Sequence, residues 1–199
     1  MLEASWEALG QSALLVAVAE TGDKTQLLSF VLAAKLRRPV PLVLGIFVAT
    51  IFNHALAGSL GVWLASFASA DMLRFITGGL FVVFGLWALV PDKLDAEEGE
   101  AAAARGGATA RQAFVTTVIA FFLAEMGDKT QFATIALGAK FQQPVAVIMG
   151  TTLGMMAANV PAVFLGDRLA ERLPLKLVRM VSAALFIGTG LLTLLFPAA

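Results

Sequence analysis

The chain reads as an all-α membrane protein of six transmembrane helices, arranged as two inverted three-helix repeats. Composition, six apolar stretches of spanning length and a gap-free internal match predict this fold. Of its 199 residues 59% are hydrophobic and only 14% charged, with a mean hydropathy of +0.85; an ordinary soluble domain carries about 25% charged residues. Net charge is +0, and no basic run stands beside aromatics, so a nucleic-acid partner is not expected. The absence of cysteine excludes disulfides, thiolate metal sites and thiol nucleophiles.

Crossing a hydrocarbon core of ~30 Å takes about 20 apolar residues as a helix. The first such stretch spans about 9–34 and is preceded by Glu3 and Glu7 with no Lys or Arg, so it lacks the basic start of a cleavable signal peptide and reads as a permanent span. The second covers about 40–66, and a turn near Ala70–Asp71 leads to the third, about 72–90, closed by Pro91. The stretches at about 113–139, 145–166 and 176–196 complete the six. Three units follow: a first repeat over 1–90, a linker over 91–112 and a second repeat over 113–199. The linker holds Glu97, Glu98, Glu100, four consecutive alanines and Gly106-Gly107, a composition suited to a flexible connection or a short surface helix.

Sliding the sequence by 105 residues lays Glu20 on Glu125, Lys35 on Lys140, Pro39 on Pro144, Gly45 on Gly150 and Arg74 on Arg179. The whole three-helix unit is duplicated. With an odd number of spans per unit, the second copy enters the membrane from the opposite side, and equivalent residues face one another across a pseudo-two-fold axis. Ten Lys and Arg residues outside the spans, from Lys35 to Arg179, fall on one side, against Arg74 and Lys140 on the other. Because cytoplasmic loops carry that excess, both termini are expected to be extracytoplasmic.

Within the first and fourth spans the apolar run is interrupted by Glu20-Thr-Gly-Asp23-Lys24-Thr25-Gln26 and Glu125-Met-Gly-Asp128-Lys129-Thr130-Gln131. A charge at the bilayer centre costs about 2.5–3.5 kcal/mol on insertion scales, so six such groups need partners or a hydrated cavity. As one helix, Glu20 and Asp23 would share a face and Glu20 would sit one turn before Lys24, an arrangement repeated by Glu125, Asp128 and Lys129. Gly22 and Gly127 are points where that helix is expected to break, adding free carbonyls to the carboxylates. An oxygen-rich site suits Ca2+, Mg2+ or Mn2+, whereas softer metals favour Cys and His, of which the chain has none and one. Four carboxylates against two lysines leave a charge of −2, which one divalent cation would neutralise; so would two protons, since burial favours a neutral carboxyl. Glu20, Asp23, Glu125 and Asp128 are therefore the candidate metal ligands.

Thr25, Gln26, Thr130 and Gln131 are supporting candidates, with Lys24 and Lys129 as counterions. Asn53 and Asn159, in the second and fifth spans, are candidates to line the same cavity, whereas His54 reads as a packing residue. Buried salt bridges that merely lock helices together would use the same residue types, but they explain neither the duplication nor the surplus negative charge. Ala57-Gly61-Ala65 and Gly150–Gly154 suit close helix contact, and Trp6, Trp63 and Trp87 suit an aromatic belt. From these residues a transporter working by alternating access, an intramembrane metal-dependent enzyme and a cation channel all remain open. The enzyme would want convergent Arg or Lys for phosphate, and the channel several subunits around one pore.

The paired Glu-x-Gly-Asp-Lys-Thr motifs, in two three-helix units joined by an acidic linker, resemble the Golgi-type Mn2+/Ca2+:proton exchangers, also termed type 2 Ca2+:cation antiporters, and their bacterial manganese-exporting relatives. The resemblance covers essentially the whole chain. It implies export of Mn2+ or Ca2+ against protons without a cofactor, cation binding by Glu20, Asp23, Glu125 and Asp128, and supporting positions for Thr25, Thr130 and the motif lysines. The N-terminus lacks the extended leader of the eukaryotic members, which implies a bacterial plasma-membrane protein. Assembly into a homo-oligomer is left open.

Overall fold

A computed structural model describes residues 2–91, 109–165 and 174–196. They form eight helices and no strand: α1 (Leu2–Glu20), α2 (Lys24–Leu36), α3 (Pro39–Ala65), α4 (Ala70–Ala88), α5 (Ala110–Glu125), α6 (Lys129–Phe141), α7 (Pro144–Leu165) and α8 (Leu175–Leu195). The helices α3, α4, α7 and α8 are each long and apolar enough to cross a membrane. The other four make two broken pairs, because the chain leaves the helix at Glu20 and at Glu125 and re-enters it at Lys24 and Lys129. The stretches expected to form the first and fourth spans are therefore each two helices, separated at Gly22 (φ 84°) and Gly127 (φ 74°), a region of φ that glycine enters without strain.

The local signals recur in both halves. After α2 and α6 the chain turns through left-handed Arg37 and Gln142, and a proline two residues later opens the next helix. Two expectations shift by a few residues. Ala70 and Asp71 begin α4 and are not a turn, because Ser69 caps the helix by accepting from the Met72 N–H. Thr109 and Gln112, placed in the linker, form a capping box at the start of α5. The rest of the linker, Asp92 to Ala108, lies outside the described residues, as does 166–173 with its Arg168 and Arg172.

Polarity is inverted relative to a water-soluble bundle. Along α3 an exposed stripe of Val40, Leu44, Phe47, Phe52, Leu56, Leu60 and Trp63 faces outward, while Thr50, Asn53 and His54 are buried. Exposed apolar and buried polar surface is the arrangement that lipid favours.

The packing follows the duplication. In the middle α3 lies against α7; α1 packs on α7 as its counterpart α5 packs on α3; and α4 pairs with α8. A side chain on Gly154 would place its Cβ 2.5 Å from the Ala13 carbonyl, and one on Gly45 would lie 2.7 Å from Thr117 Cβ, so small residues set both central approaches. The α4–α8 pair breaks the symmetry. It leans on α1 and α6, whereas the repeat-equivalent contacts, α4 with α5 and α8 with α2, are no more than grazing.

Candidate cation site

The two breaks meet in the middle of the bundle. Glu20 and Glu125 close α1 and α5, and Asp23 and Asp128 stand at the N-caps of α2 and α6, all four buried. One carboxylate oxygen from each of Glu20, Glu125 and Asp128 comes within 4.8 Å of the others, close enough for one ion. Asp23 is not in this group. Helix C-termini carry partial negative charge, so the ends of α1 and α5 at the two glutamates favour a cation there.

The ion pairs differ from those the spacing predicts. With each helix broken, Glu20 and Lys24 are not one turn apart on a helix face. Instead each lysine reaches the aspartate of the other motif: Lys24 Nζ lies 2.9 Å from Asp128 Oδ1, and Lys129 Nζ 3.9 Å from Asp23 Oδ1. The aspartates are thereby balanced, and the surplus charge rests on Glu20 and Glu125. Glu20 is held by two hydroxyls, Thr25 Oγ1 donating at 2.6 Å and Thr130 Oγ1 donating from the other repeat. Both oxygens of Glu125 are buried and lack a hydrogen-bond partner among the described residues. Burying a polar group unpartnered is costly, so these oxygens are poised for something that enters the site.

Gln26 and Gln131 act on the breaks themselves. Each accepts, at 2.8 Å, from the N–H of the glycine four residues earlier, Gly22 or Gly127. Gln26 also donates to the Ala158 carbonyl of α7 at 2.9 Å. Asn159 accepts from Ser29 Oγ at 2.7 Å and donates to the Met155 carbonyl, so its amide ties α7 to α2. Asn53 donates to the Phe122 carbonyl at 3.2 Å, one turn before Glu125, and its buried Oδ1 has no partner among the described residues. His54 is buried in α3, with neither ring nitrogen partnered among the described residues.

Three neighbours were not anticipated in these roles. A chamber of about 30 Å3 beside Gly22 and Asp23 is walled by Lys129, Arg179, Ser182 and Phe186, so Arg179 does not serve topology alone. Its signal in the sequence was the alignment of Arg179 with Arg74, and of Ser182 with Thr77, polar pairs in otherwise apolar spans. Trp87, expected in the aromatic belt, also packs on Phe132 at 6.4 Å and lies 5.9 Å from the Lys129 ammonium.

The family model described as "Divalent cation/proton antiporter GDT1" matches residues 8–96 and 113–198, which together hold both motifs and the greater part of every described helix. The chain belongs to the GDT1 family. It is 48% identical over 182 residues, 91% of its own length and 87% of the relative's, to a Vibrio cholerae protein provisionally named a manganese exporter. Similarity extends to plants: GDT1-like protein 3 of rice is 28% identical across 96% of this chain and 75% of its own, and the chloroplastic GDT1-like protein 1 of rice is 30% identical across 91% and 60%. No solved structure matches the chain. GDT1 proteins are membrane transporters and not enzymes, which removes the intramembrane enzyme left open by the residues. The carboxylate cluster has the chemistry that divalent cation/proton antiport requires, since acids that hold a cation also hold protons.

Proposed function

We propose that the chain exports a divalent cation, Mn2+ or Ca2+, in exchange for protons, by presenting one carboxylate site alternately to the two sides of a bacterial plasma membrane. The observation that carries this reading is the convergence of Glu20, Glu125 and Asp128 around a point where two glutamate charges are left over by the Lys–Asp pairs and both Glu125 oxygens lack a hydrogen-bond partner among the described residues. One divalent cation, or two protons, neutralises that surplus. Hard oxygen donors fit Mn2+ and Ca2+, and manganese is the metal named for the Vibrio relative.

The six-span reading follows from counting α1 with α2, and α5 with α6, as single broken crossings. Together with α3, α4, α7 and α8 they make two three-helix units of opposite orientation, with the termini extracytoplasmic. Half-helices meeting at mid-depth are how inverted-repeat transporters place an ion site. Glu20, Glu125 and Asp128 are the ligands in this arrangement. Asp23 is the fourth acid, Lys24 and Lys129 are tethered counterions, Thr25 and Thr130 orient Glu20, and Gln26 and Gln131 hold the breaks open. Asn53 and Asn159 fix the helices around the site. One chain brings a complete set of acids together, so a homo-oligomer is not needed to build it.

The decisive measurement is Mn2+, Ca2+ and proton flux in proteoliposomes for the wild type and for Asp23→Asn and Asp128→Asn. Saturable metal movement coupled to protons, lost in Asp128→Asn and weakened in Asp23→Asn, is expected. Undiminished flux in both variants would overturn the site assignment, and large unitary currents would replace exchange by a channel.

A further inference from the structure

The asymmetry of the α4–α8 pair has a defined counterpart. Leu175 of α8 sits so close over Gly22 that a Cβ there would lie 2.6 Å from its Cδ2, whereas a Cβ on Gly127 would meet nothing within 4 Å. Met126, the equivalent of Thr21, is largely exposed. Among the described residues, one break is covered and its twin is open.

The same pair carries two equivalent faces. Beside Asp23 it presents Phe84, Ala88, Arg179 and Ser182. Shifted by 105 residues these become Thr189, Thr193, Arg74 and Thr77, and all four line a cavity of about 710 Å3 between α1, α4, α6 and α8, at the end of the bundle that holds the start of α1. The acids are asymmetric too. Asp128 joins the two glutamates and pairs closely with Lys24, whereas Asp23 stands outside and pairs loosely with Lys129.

Resting on the exchanger reading above, we propose that the protein has a second stable state, the repeat-swapped image of this one. In it the α4–α8 pair moves off Gly22 and onto Gly127. Arg74 and Thr77 take the places of Arg179 and Ser182, Ala70 takes that of Leu175, and the third acid beside Glu20 and Glu125 becomes Asp23. The cation is then held throughout by the two glutamates and passed from one aspartate to the other, the Lys129–Asp23 pair tightening as the Lys24–Asp128 pair loosens. Because the two units align along their length but are opposite in orientation, exchanging their conformations reverses which side is open. The broken helices need not unwind further.

The chain has no cysteine, so paired cysteines report without background. Thr21→Cys with Leu175→Cys probes the contact seen here; Met126→Cys with Ala70→Cys probes its swapped twin. In proteoliposomes both pairs are expected to close with a short bifunctional thiol reagent, each closure abolishing Mn2+ flux and cleavage of a reducible linker restoring it. Spin labels on Met126→Cys and Ala70→Cys give a second readout that needs no cross-link, two distance populations being expected. A single long distance and no closure of the second pair, in protein that still exchanges Mn2+ for protons, would overturn the swapped state and leave the exchanger standing. Closure of the second pair without loss of flux would also overturn it. Absence of flux in the wild type would sink the exchanger reading itself.

Discussion

Glu20 and Glu125 are equivalent by sequence and different by environment. Glu20 has two hydroxyl donors, Thr25 and Thr130, while Glu125 has no hydrogen-bond partner among the described residues. Removing a ligand and removing an orienting group should therefore be separable. Glu125→Gln is expected to weaken Mn2+ binding by about a hundredfold or more, and Thr25→Val, which only frees one oxygen of Glu20, by about tenfold, the scale of losses measured at outer-shell partners. Isothermal titration in detergent distinguishes the two. The crossed ion pair yields a stability prediction: Lys24→Met leaves Asp128 buried without its counterion and is expected to cost about 1–3 kcal/mol, discounted because Lys24 is about a quarter exposed. Adding Asp128→Asn should recover much of that stability in a thermal melt without recovering transport. The identities of these residues were legible in the sequence because a duplicated run of charges in an apolar span is expensive. Their pairing was not, since spacing along a chain says nothing about which side chain of the other repeat it will meet.

At the scale of the helices, the breaks were readable from Gly22 and Gly127, and the close contacts from glycines at four-residue intervals. What holds a break open was less evident. Gln26 and Gln131 each satisfy a glycine N–H that the interrupted helix leaves without a carbonyl. Gln131→Leu should cost about 1 kcal/mol, a shift of about 2–4 °C in a domain of this size. Gln26→Leu should cost more, because it also releases the buried Ala158 carbonyl. Equal shifts in the two melts would argue that the capping bonds contribute little. At the helix contacts, Gly154→Leu is expected to force α1 and α7 apart and destabilise by about 1–3 kcal/mol or more, with Gly79, around which a Cβ meets nothing within 4 Å among the described residues, as the tolerant control.

For the molecule as a whole, the all-helical, membrane-spanning character was legible in composition and in the apolar stretches, and the internal match at an offset of 105 residues pointed to counterpart helices. The departure from symmetry was not visible, because Arg74 and Arg179, and Thr77 and Ser182, stand at matching positions of α4 and α8 and only packing decides which break the pair covers. If a divalent cation replaces two protons, its apparent affinity falls as pH is lowered through the titration of the glutamates, by up to about a hundredfold per pH unit. The direction follows from competition: protons occupy the same oxygens, so acid conditions release metal and alkaline conditions favour its capture. Mn2+ binding measured across a pH series tests this, and an affinity independent of pH would remove the shared-site mechanism.

The crossed Lys–Asp pairs also bear on leakage. On the proposed reading of the site, cancelling the aspartates internally leaves a carrier that is neutral when loaded with one divalent cation or with two protons, but doubly negative when empty and deprotonated. Turning that empty form over would drag unscreened charge through a medium of low dielectric, so slippage is suppressed and exchange is obligatory. A neutral carrier trading one cation for two protons is also electroneutral, so its turnover should ignore membrane voltage and respond only to the gradients of metal and acid.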